Sequence, residues 1–370
     1  MVQTKTELHT HLMGILPPQD FLEFIIDCGI DEITWPFDGK VHLVEELLDP
    51  VYAEKLFIKW GTSVSYPYLN RLYYIRTEII KEVCQRYKGI HGLSGKKTEV
   101  IIYNKFINTC LRSLVDNGVE YVDISYSFAN RIANFVLAPD LVGKIDYKFL
   151  LSTDRNNLIK ALDGNSKTFT SAAKDLEVAL KSKHSVGFDI MGQETALGDD
   201  EKNYYDEYHS FERKMELILE KLVGKDNTVF RIHSGETVES FNNSELVLTY
   251  LDNIVNRNGF VIPPPEIRLG HGIQYNDEDL YVSLLKKYKV IVELNASSNL
   301  ALSNVPNYEG VPYEFYDKHE IPYLVSTDGH GFYDTTTLKE DKICRVVAGR
   351  PSYDKLIERD IDYIVERGGR

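Results

Sequence analysis

Two histidines near the N-terminus have the spacing of a metal-binding pair. His9 and His11 end the segment Glu7-Leu8-His9-Thr10-His11, and residues 4–8 are predicted to form a short strand that leads into them. On a strand, side chains at positions i and i+2 point to the same side, so both imidazoles can reach one point in space. Neutral imidazoles are natural ligands of transition metals. Taken alone, the pair could equally be a His-X-His motif on the surface.

A third histidine and an aspartate complete a possible ligand set. His233 directly follows the strand-like segment 228–232, and Asp328 follows the segment 322–326. Three imidazoles and one carboxylate suit Zn²⁺, with a water molecule completing the coordination shell. The metal would lower the pKa of that water, so that hydroxide is available near neutral pH. Alternatively, His233 could be a core histidine, and Asp328 a turn residue before a glycine.

Two further side chains have the chemistry of proton transfer. Glu236 lies three residues after His233, and a glutamate that does not bind the metal can shuttle protons beside a metal-bound water. His271 stands between two glycines and could orient or deprotonate the same water. The alternatives are structural: Glu236 could be an acid favoured at a helix N-terminus, and His271 a loop histidine in a glycine turn.

The elements that would position these residues alternate between strand-like and helix-like segments. Eight segments are short and apolar or rich in β-branched residues, and most are separated by segments with helical apolar spacing. This order predicts an α/β protein with a (β/α)8 TIM-type barrel, in which catalytic residues lie at the C-terminal ends of the strands. A doubly wound open sheet is the alternative, but no Gly-x-Gly-x-x-Gly or P-loop supports it. The predicted strands are residues 4–8, 119–126, 149–153, 186–191, 228–232, 267–269, 290–294 and 322–326.

The length of 370 residues fits one large domain or two ordinary ones. No repeat, low-complexity tract or clear linker divides the chain, so we predict a single barrel domain over residues 1–370. A helical insertion is expected at about residues 17–117, where segments 20–26, 73–87 and 100–115 have helical apolar spacing. A helical tail is expected at about residues 338–370.

The amino-acid composition is typical of a globular protein and argues against some classes of binding partner. Hydrophobic residues make up 43% and charged residues 26%, which is enough apolar sequence for a sizeable core. The net charge of -14 argues against nucleic-acid binding, which needs a basic face. The four cysteines are far apart and form no Cys-x-x-Cys, as in reduced cytosolic proteins. Without an apolar signal core or spanning segment, we predict a cytoplasmic protein that does not bind membranes; its oligomeric state and protein partners stay open.

Several motifs resemble, in the same order, those of the adenosine/AMP deaminase family of metal-dependent amidohydrolases. They extend from about residue 5 to about residue 340. The resemblance implies a purine nucleoside or nucleotide substrate that loses its 6-amino group by hydrolysis, giving an inosine-type product and ammonia. The matching segments are Lys5-Thr6-Glu7-Leu8-His9-Thr10-His11-Leu12, Gly118-Val119-Glu120-Tyr121-Val122-Asp123, Gly187-Phe188-Asp189-Ile190-Met191-Gly192, His233-Ser234-Gly235-Glu236, Arg268-Leu269-Gly270-His271-Gly272, Ser297-Ser298-Asn299 and Ser326-Thr327-Asp328.

The resemblance also implies roles for individual residues. Glu236 would protonate the purine ring nitrogen next to the attacked carbon, and His271 would hold the attacking water. The backbone of Gly192 would approach the far side of the purine. One Zn²⁺ would be bound by His9, His11, His233 and Asp328.

Two departures from the family pattern bear on the substrate. Gly329 stands where the family has a second acidic residue that contacts the five-membered ring of the purine, and the nearby His330 could replace that contact. Met13 stands where nucleoside deaminases have an aspartate that binds the ribose 5′-hydroxyl. Because like charges repel strongly in a poorly solvated site, losing this carboxylate would ease binding of a 5′-phosphate. Lys59, Arg71 and Arg76 of the insertion could meet that phosphate, and we favour an AMP- or dAMP-type substrate over adenosine.

Two other functions stay open at this stage. Because Gly329 replaces the second acidic residue of the family, the protein could instead be an aminohydrolase that acts on another amino-heterocycle or a modified purine. A nucleotide-binding signalling subunit with a barrel fold is a non-enzyme alternative. The complete ligand set together with Glu236 argues against it, since a binding module has no need for a proton shuttle.

Overall fold

The eight predicted strands form one parallel sheet that is nearly closed into a barrel, surrounded by helices. The structure is a computed structural model that describes residues 6–36, 39–49, 51, 66–127, 134–155, 176–192, 194, 201–224, 228–237, 243–259 and 266–348. The prediction of a (β/α)8 barrel is therefore confirmed. In chain order along the sheet, the strands are β1 Thr6–His11, β4 Tyr121–Tyr126, β5 Asp146–Asp154, β6 Ser185–Met191, β7 Val229–Ser234, β8 Glu266–His271, β9 Ile291–Leu294 and β10 Tyr323–Val325.

The first and last strands meet just above the end of β10. A parallel bridge pairs Thr10 with Asp328. The amide of Asp328 donates to the carbonyl of His9 at 2.8 Å, and the amide of His11 donates to the carbonyl of Asp328 at 3.1 Å. The strand was predicted to end at Leu8, but β1 continues to His11, so both histidines lie within the strand. The barrel thus closes at the residues predicted to bind a metal.

Helices occupy most of the remaining described residues. Short 3₁₀ turns lie at Pro139–Leu141 and Tyr308–Gly310. The C-terminal tail is described only as far as residue 348, so the rest of the predicted tail lies outside the described residues. The helices are α1 Leu12–Ile15, α2 Pro18–Asp27, α3 Val44–Leu47, α4 Tyr66–His91, α5 Gly95–Asp116, α6 Glu201–Leu222, α7 Asn243–Asn258, α8 Glu278–Lys287, α9 Ala296–Ala301, α10 Tyr313–Lys318 and α11 Thr337–Val347.

The insertion between β1 and β4 contains a feature that was not predicted. Strands β2 Glu32–Thr34 and β3 Val41–Leu43 pair as an antiparallel hairpin between α2 and α3. Each has three residues, which is too short for a period-2 pattern to be recognised. The long helices α4 and α5 were predicted, although each begins earlier than its apolar spacing indicated.

Two large hydrophobic clusters hold helices against the barrel. On one side, Phe188 of β6 and Phe230 of β7 belong to a cluster with Met215 of α6 and Leu251 of α7. On the other side, the insertion helices pack against β4 and β5, with buried side chains of α5 recurring at three- and four-residue intervals. This periodicity places one face of α5 against the sheet. In the described residues, no helix is long and apolar enough to cross a membrane.

Buried charged residues lie in the barrel below the site. Arg231 and Arg268 are fully buried, and both contact Glu293, at 2.7 Å from Arg231 Nε to Oε2 and 3.2 Å from Arg268 Nη1 to Oε1. Arg268 also contacts Asp123 at 2.8 Å. Removing any one partner would leave an uncompensated charge in the interior, which is far more costly than the pair is stabilising. This network of ion pairs lies beneath the histidines.

Candidate metal and active site

The barrel brings the four predicted ligands close together: donor atoms of His9, His11 and Asp328 lie within 4.8 Å of one another, and His233 joins His9 in a second such group. His9 and His11 come from β1 and His233 from β7, and Asp328 follows β10. The ring centroids of His9 and His233 are 4.5 Å apart, and those of His11 and His233 are 5.1 Å apart. Asp328 Oδ1 lies 3.2 Å from His11 Nε2 and 3.5 Å from His9 Nε2. Residues that are far apart in the sequence thus form a compact cluster of nitrogen and oxygen donors.

Two nitrogen atoms of this cluster have the environment expected of metal ligands. The Nε2 atoms of His9 and His233 are buried and have only long contacts with carboxylates, Asp328 Oδ1 at 3.5 Å from the first and Asp189 Oδ1 at 3.3 Å from the second. His9 Nδ1 is 2.9 Å from Glu293 Oε2, which turns its Nε2 toward the centre of the cluster. A carboxylate behind a ligating histidine is the usual means of fixing its orientation. The donor set and its buried nitrogen atoms therefore fit a divalent metal ion.

The protonation states also suit a cation. Although burial alone would raise the pKa of Asp328, hydrogen bonds with His11 and His9 hold it well below its usual range. Burial lowers the pKa of His233 to about 4. Burial and the charge of Arg231 oppose protonation of His9, but hydrogen bonds with Asp328 and Glu293 outweigh them and raise its pKa to about 9. The buried carboxylates thus favour a positive charge at this point, which a divalent cation would supply.

His271 and Glu236 lie beside the ligands. His271 Nε2 is 3.3 Å from His233 Nδ1 and 3.6 Å from Glu236 Oε1. On its other side, His271 Nδ1 is 3.1 Å from Asn299 Oδ1, an arrangement in which Nδ1 donates and Nε2 keeps the lone pair. Burial lowers the pKa of His271 well below its usual range, so the ring is neutral.

Two of these residues have a backbone conformation that L-amino acids rarely adopt. The φ angle is 70° at His271 and 64° at Asp328. Non-glycine residues held in this region cost of order 1–3 kcal/mol each, and they cluster at functional sites. Interactions around Asp328 offset this cost, because its Oδ2 accepts a hydrogen bond of 2.7 Å from Ser298.

A cavity of about 260 Å³ opens above the cluster. Met13 and Gly192 line it, and their roles toward a substrate stay predictions. Asp154, at the end of β5, was not predicted; a Cβ on Gly192 would stand 2.5 Å from its Oδ2. The described residues around the cavity are His11, Leu12, Met13, Leu69, Tyr73, Thr77, Ser125, Tyr126, Ser127, Ser152, Asp154, Met191, Gly192, His233, Glu236, Asp328 and Tyr333.

Other residues singled out from the sequence lie elsewhere. His330 does not line the described part of the cavity; its Nε2 is 3.3 Å from Glu7 Oε2 and 3.3 Å from Thr337 Oγ1. Gly329 faces the backbone of Gly14 instead of the cavity. The contact between His330 and a purine stays a prediction, and the described position of the ring does not support it.

Among the basic residues proposed for a phosphate, Arg76 is the one whose side chain is described, and it does not line the described part of the cavity. Arg76 donates to the carbonyl of Met13, and its guanidinium lies 5.0 Å from the ring centre of Phe21 and 4.5 Å from that of Phe332. It is buried behind the cavity wall, so the expectation for Arg76 is corrected. Lys59 and the side chain of Arg71 lie outside the described residues.

Sequence reasoning also missed supporting acids. Asp189 Oδ1 lies 3.3 Å from His233 Nε2, and the charges of His233 and Arg231 hold its pKa below the usual range although burial opposes them. Glu293 was missed in the same way. The signal was present, because each acid interrupts an otherwise apolar strand that is buried on both faces.

Together, the fold and the cluster define a (β/α)8 barrel with a candidate metal site of three histidines and one aspartate. No family model matches the chain. An adenosine deaminase of Enterococcus faecalis is 33% identical over 73 residues, 20% of this chain and 22% of that protein. An adenosine deaminase of Plasmodium gallinaceum is 28% identical over 166 residues, 45% of this chain and 38% of that protein. The chain thus spans well under half the length of these curated relatives.

Solved structures extend the likeness over the whole fold. The N6-mAMP deaminase of Arabidopsis superposes with a TM-score of 0.61 at 16% identity, covering 98% of this chain and 93% of that one. Arabidopsis ADAL complexed with GMP gives the same score and identity, with 98% and 92% covered. An amidohydrolase of Burkholderia ambifaria with bound Zn has a TM-score of 0.52 at 11% identity, covering 99% and 91%. The chain resembles the adenosine/AMP deaminase family in sequence and in fold, as its motifs predicted.

Proposed function

We propose that this protein is a Zn²⁺-dependent aminohydrolase that removes the 6-amino group of an adenine nucleotide or nucleoside. One observation carries the proposal: the candidate ligands His11, His233 and Asp328 face the same cavity as Glu236. His271 Nε2 lies 3.6 Å from Glu236 Oε1. A metal site alone would not need two groups for proton transfer beside it, whereas hydrolysis at a ring carbon needs both.

A metal held by His9, His11, His233 and Asp328 would supply Lewis acidity that lowers the pKa of a water molecule. In the proposed reaction, His271 is the group that accepts a proton from the attacking water. Glu236 donates a proton to the ring nitrogen next to the attacked carbon, so that negative charge does not accumulate on the ring. The proton taken by His271 then passes to the amino group, which leaves as ammonia, while the new hydroxyl group returns a proton to Glu236 and becomes the carbonyl of the inosine-type product.

The preference for a 5′-phosphorylated substrate is part of the proposal. Met13 lines the cavity, so the carboxylate that would repel a phosphate at this position is absent from the wall. Structures of Arabidopsis ADAL with IMP and with GMP have the same fold.

One observation favours the nucleoside as a second candidate substrate. Asp154 lines the cavity, and the described residues around it include neither lysine nor arginine. A carboxylate facing the substrate would oppose a phosphate in a poorly solvated cavity. The neutral hydroxyl groups of a ribose would instead find acceptors and donors in Asp154, Ser127 and Ser152.

The proposal is tested by ultraviolet assay of deamination with a purified, Zn²⁺-loaded sample. The panel contains adenosine, deoxyadenosine, their mono- and triphosphates, N6-methyl-AMP and free adenine. We expect turnover of one group of these compounds, and loss of at least ~100-fold in Glu236→Gln with bound metal unchanged. Absence of turnover of the whole panel by a metal-loaded sample would contradict the function. A preparation that binds no metal and gains nothing from added Zn²⁺ would favour the binding-subunit alternative.

A further inference from the structure

One buried carboxylate outside the cavity is bonded to the backbone of the loop that carries Glu236. Glu194 is 1% exposed. Its Oε1 accepts from the amide of Gly235 at 3.0 Å, and its Oε2 accepts from the amides of Glu236 at 2.8 Å and Thr237 at 3.4 Å. The hydroxyl of Thr237 also donates to the carbonyl of Glu194 at 3.2 Å. Successive amides that converge in this way form a concave site for an anion, here supplied by the chain itself.

A buried arginine ties this carboxylate to the start of the same loop. Arg155 is 1% exposed, and its Nη1 lies 3.4 Å from Glu194 Oε1. Its Nη2 donates to the carbonyl oxygen of His233, and its guanidinium lies 5.7 Å from the ring centre of Phe211. The loop from His233 to Thr237 is therefore held at its first carbonyl and at three consecutive amides. Hydrogen bonds to ionised groups are roughly twice as strong as those between neutral groups.

The opposite side of the loop is fixed as well. The carbonyl of Gly235 accepts from the amides of Ile273 at 3.0 Å and Gln274 at 2.9 Å. Gly235 has a φ of 69°, and a Cβ on it would stand 2.5 Å from the carbonyl oxygen of Gln274. The backbone that carries Glu236 is thus held between two sets of hydrogen bonds.

We infer that Glu194 and Arg155 are positioning residues that aim Glu236 at the substrate ring nitrogen. The inference rests on the proposed function. Neither side chain lines the cavity in the described structure, so both act through the loop. Displacing a reacting group by about 1 Å can cost ~100-fold in rate without weakening substrate binding to the same degree. A structural role alone would instead lower stability or metal content and leave the rate per metal-loaded molecule unchanged.

The first measurement compares Glu194→Gln with the unchanged protein. We expect kcat to fall by roughly 10- to 100-fold, KM to stay within about twofold, and bound Zn²⁺ per chain to stay the same. Glu194→Asp keeps the charge with a shorter reach and is expected to lose less. If Glu194→Gln does not fold, Glu194→Asp is measured in its place. The control is Glu212→Gln, which removes a carboxylate 3.0 Å from Arg257, on helices away from the site, and should leave kcat unchanged.

A double-mutant cycle separates positioning from a general structural effect. If Glu194 acts through Glu236, the substitution Glu194→Gln should lower kcat less than about twofold in a Glu236→Gln background. The same fold-loss in both backgrounds, or an unchanged kcat in Glu194→Gln alone, would overturn the positioning role. A Glu236→Gln variant with full activity would instead refute the proposed function, so the two failures are distinguishable.

Discussion

The backbones of Gly14 and Gly329 pack against each other just after β1 and β10. A Cβ on Gly329 would stand 3.3 Å from the Cα of Gly14, and a Cβ on Gly14 would stand 3.2 Å from the Cα of Gly329 and 3.2 Å from Phe332 Cδ2. The position where the family carries a second acid thus faces backbone in this protein. A side chain at residue 329 would crowd the backbone of Gly14, so the glycine allows the two segments to pack closely, in addition to any effect on the substrate.

The substitution Gly329→Ala should therefore destabilise the fold. Overpacking typically costs ~1–3 kcal/mol, and we expect a reduction in the free energy of unfolding in that range, measured by urea denaturation. Gly89→Ala is the matched control, since Gly89 lies in α4 and a Cβ there would have no neighbour within 4 Å. This control should stabilise by ~0.5–1 kcal/mol. Equal effects of the two substitutions would show that the contact between the glycines is unimportant.

Asp154 should control the choice between nucleotide and nucleoside. Replacing it by asparagine removes a negative charge from the cavity, and an interaction between unit charges at 4 Å is worth about 4 kcal/mol at an effective dielectric of 20. We expect the ratio of kcat/KM for AMP to that for adenosine to rise by about tenfold or more. Ser152→Ala changes the same wall without changing its charge and should leave the ratio nearly constant. A ratio that does not rise in Asp154→Asn would place Asp154 away from the phosphate position.

Glu340 should make stability depend on pH. Burial, with a contribution from Glu7, raises its pKa to about 7, although hydrogen bonds from Ser297 and Thr335 oppose the shift. In the unfolded chain the carboxyl ionises near pH 4.5, so between pH 4.5 and 7 the unfolded state binds fewer protons. The free energy of unfolding therefore falls as pH rises through this window.

The substitution Glu340→Gln removes this titration and keeps an oxygen acceptor. We expect it to be nearly neutral at pH 4.5 and stabilising by roughly 1–3 kcal/mol at pH 8, from urea unfolding across the range. The exposed Glu314→Gln serves as a control that should show no such pH-dependent difference. A Glu340→Gln variant with the same pH profile as the unchanged protein would mean that Glu340 is ionised throughout.

Asp328 should be needed for metal binding. We expect Asp328→Asn to lower the Zn²⁺ content measured by elemental analysis, and to lose most of the rise in Tm that added Zn²⁺ gives the unchanged protein. Asp334→Asn alters an exposed aspartate of the same segment and should retain both properties. Full metal content in Asp328→Asn would remove Asp328 from the ligand set.

The fold could be predicted from the sequence because the barrel strands are short and apolar or rich in β-branched residues, and most are followed by a helical pattern. The residues with chemistry of their own were predictable for a similar reason: His233 and Asp328 stand where strands end, and barrels gather such positions. Asp154 and Glu194 were not predicted, since a single carboxylate near the end of a strand is common on any surface. Asp154 reaches the cavity and Glu194 is buried because β5, β6 and β7 lie side by side, which local sequence does not reveal.

The pairing of Thr10 with Asp328 has a consequence for the newly made protein. The ligands from β1 leave the ribosome first, and the aspartate follows more than 300 residues later. Contacts this distant in sequence form late, because the intervening chain must be ordered first. A nascent or truncated chain that lacks β10 would therefore have only part of the candidate ligand set, and we expect stable metal capture only after the barrel has closed.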